Sequence, residues 1–139
     1  YRMSNVLAGI GRGQLKVLER RLAQKRHIFE FYKENLSHLE GLEMMPVNDW
    51  NEPNFWLSCI TLSGKVKPLE ILEALERENI ESRPIWKPMH MQPFYRDCDF
   101  LGSGVSQKIF EHGLCLPSDT KMTDDDLNRI CEIIKGVWR

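Results

Sequence analysis

Apolar side chains in the first part of the chain recur in steps of three and four: Met3, Val6, Leu7 and Ile10, then Leu15, Leu18, Leu22, Phe29, Tyr32, Leu36 and Leu39. That period places them on one side of a helix. Ser4 is a good N-cap residue, and no proline interrupts before Pro46. The pattern predicts one long amphipathic helix over about residues 4–40, stopping near Gly41. A helix of about 35 residues spans roughly 50 Å at about 1.5 Å per residue, longer than a domain of this size is wide. Gly9, Gly11 and Gly13 fall in its second and third turns, where each costs about 1 kcal/mol relative to alanine. A poorly formed helix start and a close approach by another chain or cofactor both explain them, and a helix that outruns its domain favours close approach.

Downstream the period changes. LEMMP (42–46) reads as a short strand and NFWLSCITL (54–62) as a second, with Trp56, Ser58 and Ile60 on one face and Phe55, Leu57, Cys59 and Thr61 on the other. KPLEILEALEREN (67–79) predicts a helix with Pro68 in its first turn and Leu69, Leu72 and Leu75 facing inward. IESRP (80–84) fits a third strand, VSQKIFEHG a short helix closed by Gly113, and LCLP a buried strand. A last helix starts on Thr123, with Asp124, Asp125 and Asp126 complementing its positive end. This order predicts an α+β domain: a long N-terminal helix, then helices packed on one side of a small mixed or antiparallel sheet.

With 139 residues, 42% of them hydrophobic, the chain has material for one globular domain with a core. Nineteen basic against twenty acidic residues leave a net charge of -1, so no global field draws it to nucleic acid or an anionic membrane. No apolar run reaches bilayer-spanning length, and no signal peptide is evident. The four cysteines are scattered, without C-x-x-C or zinc spacing, and read as reduced thiols of a cytoplasmic protein rather than a metal site or a disulfide framework. The chain opens in the middle of patterned sequence, at YRMSNVLAGIG; a fragment of a longer polypeptide is the expectation.

Common catalytic motifs are missing: GIGRG lies inside a helical pattern, and none of the four histidines forms H-E-x-x-H. His27, His38 and His112 read as solvated or capping groups. RPIWKPMHMQPFY (83–95) stands apart, with no regular period, three prolines that stiffen it, and Trp86, Lys87 and His90 close together. A cation, an imidazole and an aromatic face suit an anionic or sugar-like ligand. They also make an ordinary lid over a core, and spacing alone leaves the two readings nearly tied, the lid slightly ahead. Arg2, just before a helix cap, could meet an anion at the helix's positive end; an exposed arginine near a chain end is the simpler reading.

Three stretches, YRMSNVLAGIGRGQLKVLERRLAQKRHIFEFYKENL (1–36), RPIWKPMHMQPFY and GLCLPSDTKMTDDDLNRICEII (113–134), resemble in that order the part of DegT/DnrJ/EryC1/StrS sugar aminotransferases that follows the cofactor lysine. The resemblance covers essentially the whole chain. It implies that residues 1–139 form the small C-terminal domain of a fold type I enzyme dependent on pyridoxal 5'-phosphate, with the large cofactor-binding domain and its Schiff-base lysine upstream. No catalytic residue is then expected in the chain, which should be inactive alone; Lys87 is not the cofactor lysine. The reaction implied is amino transfer from glutamate to a 4-keto-6-deoxy sugar nucleotide, the W-K-P-M-H form resembling enzymes acting on a UDP-linked N-acetylhexosamine for glycan biosynthesis. The resemblance further implies a homodimer in which Arg2, flanked by Tyr1 and Ser4, reaches the phosphate of the partner subunit's cofactor. His90, Trp86, Lys87 and Arg83 would face the sugar nucleotide. Two alternatives stand beside it: a dehydratase of the same family, with histidine in place of the cofactor lysine, and a non-enzymatic module that dimerises through the long helix.

Overall fold

The computed structural model describes residues 2–138. The predicted long helix is two: α1 (Asn5–Leu15) and α2 (Leu18–Leu36). Ser4 caps α1 as expected, its hydroxyl accepting from Leu7 N–H at 3.2 Å. The break falls at Val17, where φ is -114° and ψ 2°, outside the helical well. Val17 is β-branched and stiff at χ1, and its N–H turns back to the Gln14 carbonyl. Beyond the break, packing decides. Nothing in α1 is buried, whereas α2 buries Ile28, Phe29, Tyr32 and Leu36. The space beside Gly9, Gly11 and Gly13 is open, so among the described residues nothing makes the close approach those glycines would allow.

After α2 the chain forms β1 (Leu42–Met44), β2 (Ser58–Leu62), α3 (Pro68–Glu76), β3 (Arg83–Pro84), two 3₁₀ turns (Met89–Met91 and Pro93–Tyr95), α4 (Val105–His112), β4 (Gly113–Leu116) and α5 (Asp124–Gly136). The four strands make one fully antiparallel sheet in the order β1-β2-β4-β3. Gly41 turns the chain into β1 with φ +78°, and a Cβ there would meet the Gly64 backbone at 2.6 Å. Only glycine fits this turn.

One face of the sheet carries Leu42, Met44, Ile60, Leu62, Leu114 and Leu116, and against it pack Tyr32 and Leu36 of α2, Ile71 and Leu75 of α3, and Leu127, Ile130 and Ile134 of α5. Tyr32 is fully buried, and burial drives its phenol far above the ordinary range. α5 begins on the predicted cap: Thr123 and Asp126 exchange hydrogen bonds, Thr123 N–H donating to the carboxylate at 2.8 Å. These bonds hold the Asp126 carboxyl below its usual range. α4 lies on the other face, since a Cβ on Gly113, which shares that face with Cys59 and Cys115, would meet the Ile109 carbonyl.

Two details differ from the sequence reading. On α3 Leu75 is buried and Leu72 packs partly buried against the core as expected, but Ile71 is buried too and Leu69 is 61% exposed instead of facing inward. The alternation over 54–62 holds only from Ser58 onward. Phe55 takes the left-handed region at φ 49°, so its ring is buried against Phe29 and Trp56 leaves the sheet face.

Cys59 and Cys115 face each other across β2 and β4. The Cys59 carbonyl accepts from Met45 N–H at 2.9 Å, so its backbone groups point toward β1 and the cysteines form a non-hydrogen-bonded pair, the closer kind. Their sulfurs lie 3.7 Å apart as free thiols. Burial pushes the Cys59 thiol up to about 12 and raises that of Cys115.

Leu114→Ala, which empties the centre of this core, should cost about 2–5 kcal/mol in a denaturant titration. Leu69→Ala should stay within about 0.5 kcal/mol of the parent; equal losses would contradict the observed phase of α3.

Candidate functional site

A cavity of about 530 Å³ opens where three segments meet: residue 57 ahead of β2, residues 81–86 around β3, and residues 115–119 leaving β4. α2 sets two of these walls. The Tyr32 hydroxyl donates to the Pro117 carbonyl at 2.9 Å. Lys25 Nζ donates to the Trp56 carbonyl at 2.9 Å and also to the Ser118 carbonyl. Arg21 reaches Thr120 Oγ1 at 2.9 Å. Ser118 closes the joint: its hydroxyl accepts from Ser58 N–H and donates to the Leu116 carbonyl, each at 3.0 Å. Partial burial lowers the Lys25 pKa, and Asp119 pulls it back upward.

The cavity's charge is modest. Arg83 holds Glu81 through Nη2 at 2.6 Å and Nε at 2.7 Å. Both side chains are exposed, so the pair contributes at most about 1 kcal/mol. It nevertheless neutralises the arginine and leaves Asp119 as the wall's other charge. Trp86 supplies an aromatic side and lies 5.9 Å, centroid to centroid, from Trp56. Ser82 is also in the wall, and its hydroxyl oxygen is buried without a protein partner. Such an arrangement can hold a flat or ring-shaped ligand and hydrogen-bond its edge. Burial raises the pKa of the Cys115 thiol in the cavity wall, which disfavours the reactive thiolate.

Of the residues singled out from the sequence, Arg83 and Trp86 come together in this cavity. Lys87 follows on the exposed loop, its carbonyl accepting from Gln92 Nε2 at 3.1 Å. His90 sits on the first 3₁₀ turn, stacked on Phe100 at 3.8 Å between centroids, with Nε2 buried and unpaired. Arg2 and Ser4 stand at the exposed start of α1, where the Ser4 hydroxyl is engaged as the cap and Arg2 makes no ion pair among the described residues. Tyr1 lies outside the described residues. Sequence reasoning missed Lys25 and Trp56. Lys25 looks like any lysine on a polar helix side, and Trp56 was read on a strand that starts only two residues later.

Lys25→Met should lower stability by roughly 1–2 kcal/mol, because two carbonyls lose a charged donor. It should also alter the near-UV circular dichroism of the tryptophans as the Trp56 backbone is released. An unchanged spectrum would show that Lys25 does not fix this wall.

Comparison with known proteins bears on the family and the fold. Over 138 residues the chain is 41% identical to EpsN of Bacillus subtilis (strain 168), whose assignment as a pyridoxal phosphate-dependent aminotransferase is provisional; the match covers 96% of this chain and 36% of EpsN. It is 33% identical to the GDP-perosamine synthase of Vibrio cholerae, covering 99% of this chain and 38% of that protein. The chain thus spans little more than a third of the length of these relatives. Among solved structures, Helicobacter pylori PseC, an aminotransferase involved in the biosynthesis of pseudoaminic acid, superposes with a TM-score of 0.85 over 99% of this chain and 38% of its own. At 14% identity that likeness speaks for the fold alone. Residues 1–135 match the profile of the DegT/DnrJ/EryC1/StrS aminotransferase family, and the chain belongs to that family.

Proposed function

We propose that residues 1–139 are the small C-terminal domain of a nucleotide-sugar aminotransferase dependent on pyridoxal phosphate. The intact enzyme moves an amino group from glutamate to a 4-keto-6-deoxy sugar nucleotide, as a cytoplasmic homodimer. The observation that carries this reading is the unbroken match of residues 1–135 to a family of sugar aminotransferases, together with a relative named for GDP-perosamine synthesis at 33% identity.

The residues here fit the edge of a phosphate cofactor and not its reactive end. Arg2 is exposed and free of ion pairs among the described residues, just ahead of the capped start of α1, where free N–H groups and the helix dipole favour an anion. With Ser4, and with Tyr1 beside it in sequence, it would hold the phosphate. Lys25, the lysine that reaches the cavity walls, is committed to two backbone carbonyls and serves as a positioning group on this reading. Pyridoxal phosphate, when bound, supplies the carbonyl on which an amino group is carried from donor to acceptor. This chain's share is recognition. Trp86 presents an aromatic side to the sugar nucleotide, Arg83 and Lys87 bring charge to it, and His90 shapes the loop that follows. Opening the His90–Phe100 stack would free the buried imidazole nitrogen to donate or accept a hydrogen bond.

In the intact protein, glutamate plus a 4-keto-6-deoxy sugar nucleotide should yield 2-oxoglutarate and the amino sugar nucleotide, followed by coupled assay and mass spectrometry. Absence of both products would end this reading. His90→Ala should raise KM or lower turnover for the sugar while cofactor uptake stays intact. Arg2→Ala should instead weaken cofactor retention, read from bound cofactor after dialysis; normal retention would remove Arg2 from the site.

A further inference from the structure

The segment before β2 sets a strained, buried residue beside an exposed ring. Residues 54–57 could continue β2 as extended chain, yet Phe55 is turned into the left-handed region at φ 49°, which bulky residues avoid. Strain of this kind persists only where the surroundings over-determine it. Here they do. The Phe55 ring is buried 4.6 Å from the Phe29 ring, and the Arg26 guanidinium lies 5.6 Å from its centroid. The Asn54 side-chain oxygen accepts from Trp56 N–H at 3.0 Å, and Lys25 donates to the Trp56 carbonyl at 2.9 Å.

The backbone on both sides of Trp56 is therefore held, yet its indole remains 62% exposed. Burial accounts for the Phe55 ring, while the Trp56 ring gains little burial from it. What it achieves is placement: the Trp56 ring lies 5.9 Å from Trp86, also mostly exposed, with the planes tilted by 39°. Trp86 belongs to the cavity wall beside Arg83 and Ser82. Lys87, next in sequence, makes no ion pair among the described residues. Two exposed indoles this close offer aromatic area at the mouth of the cavity beyond what Trp86 alone supplies. Beside it stand a free cation and an arginine on which a diphosphate could compete with Glu81.

We propose that Trp56 and Trp86 together form a stacking platform for the nucleobase of a nucleoside diphosphate, with Trp56 as a substrate-binding residue. This rests on the reading of the substrate as a sugar nucleotide. Aromatic stacking of bases tolerates any base because each has a π face; the platform selects for a nucleotide rather than for one nucleotide.

The test uses the intact enzyme. Titration with UDP or GDP, without sugar, should quench tryptophan emission in the parent. Trp56→Ala should weaken that binding by about tenfold, the order expected for losing one stacking ring, and Trp56→Phe should restore part of it. Inorganic pyrophosphate should bind parent and variant alike, because it has no base. Under turnover the change should fall on KM for the sugar nucleotide, with kcat and the KM for glutamate little altered. Equal nucleotide affinity in parent and Trp56→Ala would overturn the platform. So would a variant that loses thermal stability and is not improved by phenylalanine, since Trp56 would then be packing against the rest of the polypeptide. A parent that binds nucleotide but does not aminate a sugar nucleotide would sink the proposed reaction and leave the platform standing.

Discussion

The hydrogen bond from Tyr32 to the Pro117 carbonyl joins the two halves of this structure. Tyr32 is wholly buried in α2, and its hydroxyl would be left without a partner in a low-dielectric core if that carbonyl were not 2.9 Å away. Because the bond reaches across 85 positions in sequence, it fixes where the chain leaves β4 relative to the helix that covers the sheet. Lys25 repeats the device about two turns earlier on α2 and ties a second segment to the same place. A helix with one apolar side would cover this sheet equally well after sliding a little. The polar contacts from Arg21, Lys25 and Tyr32 choose one position.

That choice creates the cavity. Its walls join the ends of β3 and β4 to loop segments, and α2 pairs three backbone carbonyls of those loops from behind. The same pairing accommodates the left-handed Phe55 and turns Trp56 outward. Segments held from behind by α2 thus leave Trp56 and Trp86 exposed on the other side. The chemistry available there agrees with a domain that binds rather than reacts: an arginine already paired, a lysine engaged by carbonyls, and cysteines whose thiolates are suppressed by burial.

Much of the fold was legible from side-chain periods. The 3.6-residue repeat located α2, α3 and α5, and the capping pair Thr123 and Asp126 marked the start of α5 to the residue, because these signals arise within one or two turns of chain. Alternation in β2 gave the buried face from Ser58 to Leu62. Where the sequence misled, a distant partner was responsible. The break at Val17 separates α2, which packs on the sheet, from α1, which buries none of its residues. Leu69 faces outward and Ile71 inward because the sheet and α5 meet α3 on the side that carries Ile71 and Leu75. No local pattern announces that Phe55 will leave the extended region, since the ring that draws it in, Phe29, is on another element.

The amino-acid sequence by itself determined the element types, the caps, the α+β class and, through its matched stretches, the family. Each of these depends on short-range sterics and hydrogen bonding or on residues read in order. Only the tertiary structure decided that Arg83 and Trp86 share a cavity while His90 stacks on Phe100, and that Trp56 stands beside Trp86 rather than on a sheet face. Those outcomes turn on contacts between elements far apart in the chain, where a few donors aimed at backbone carbonyls outweigh local preference.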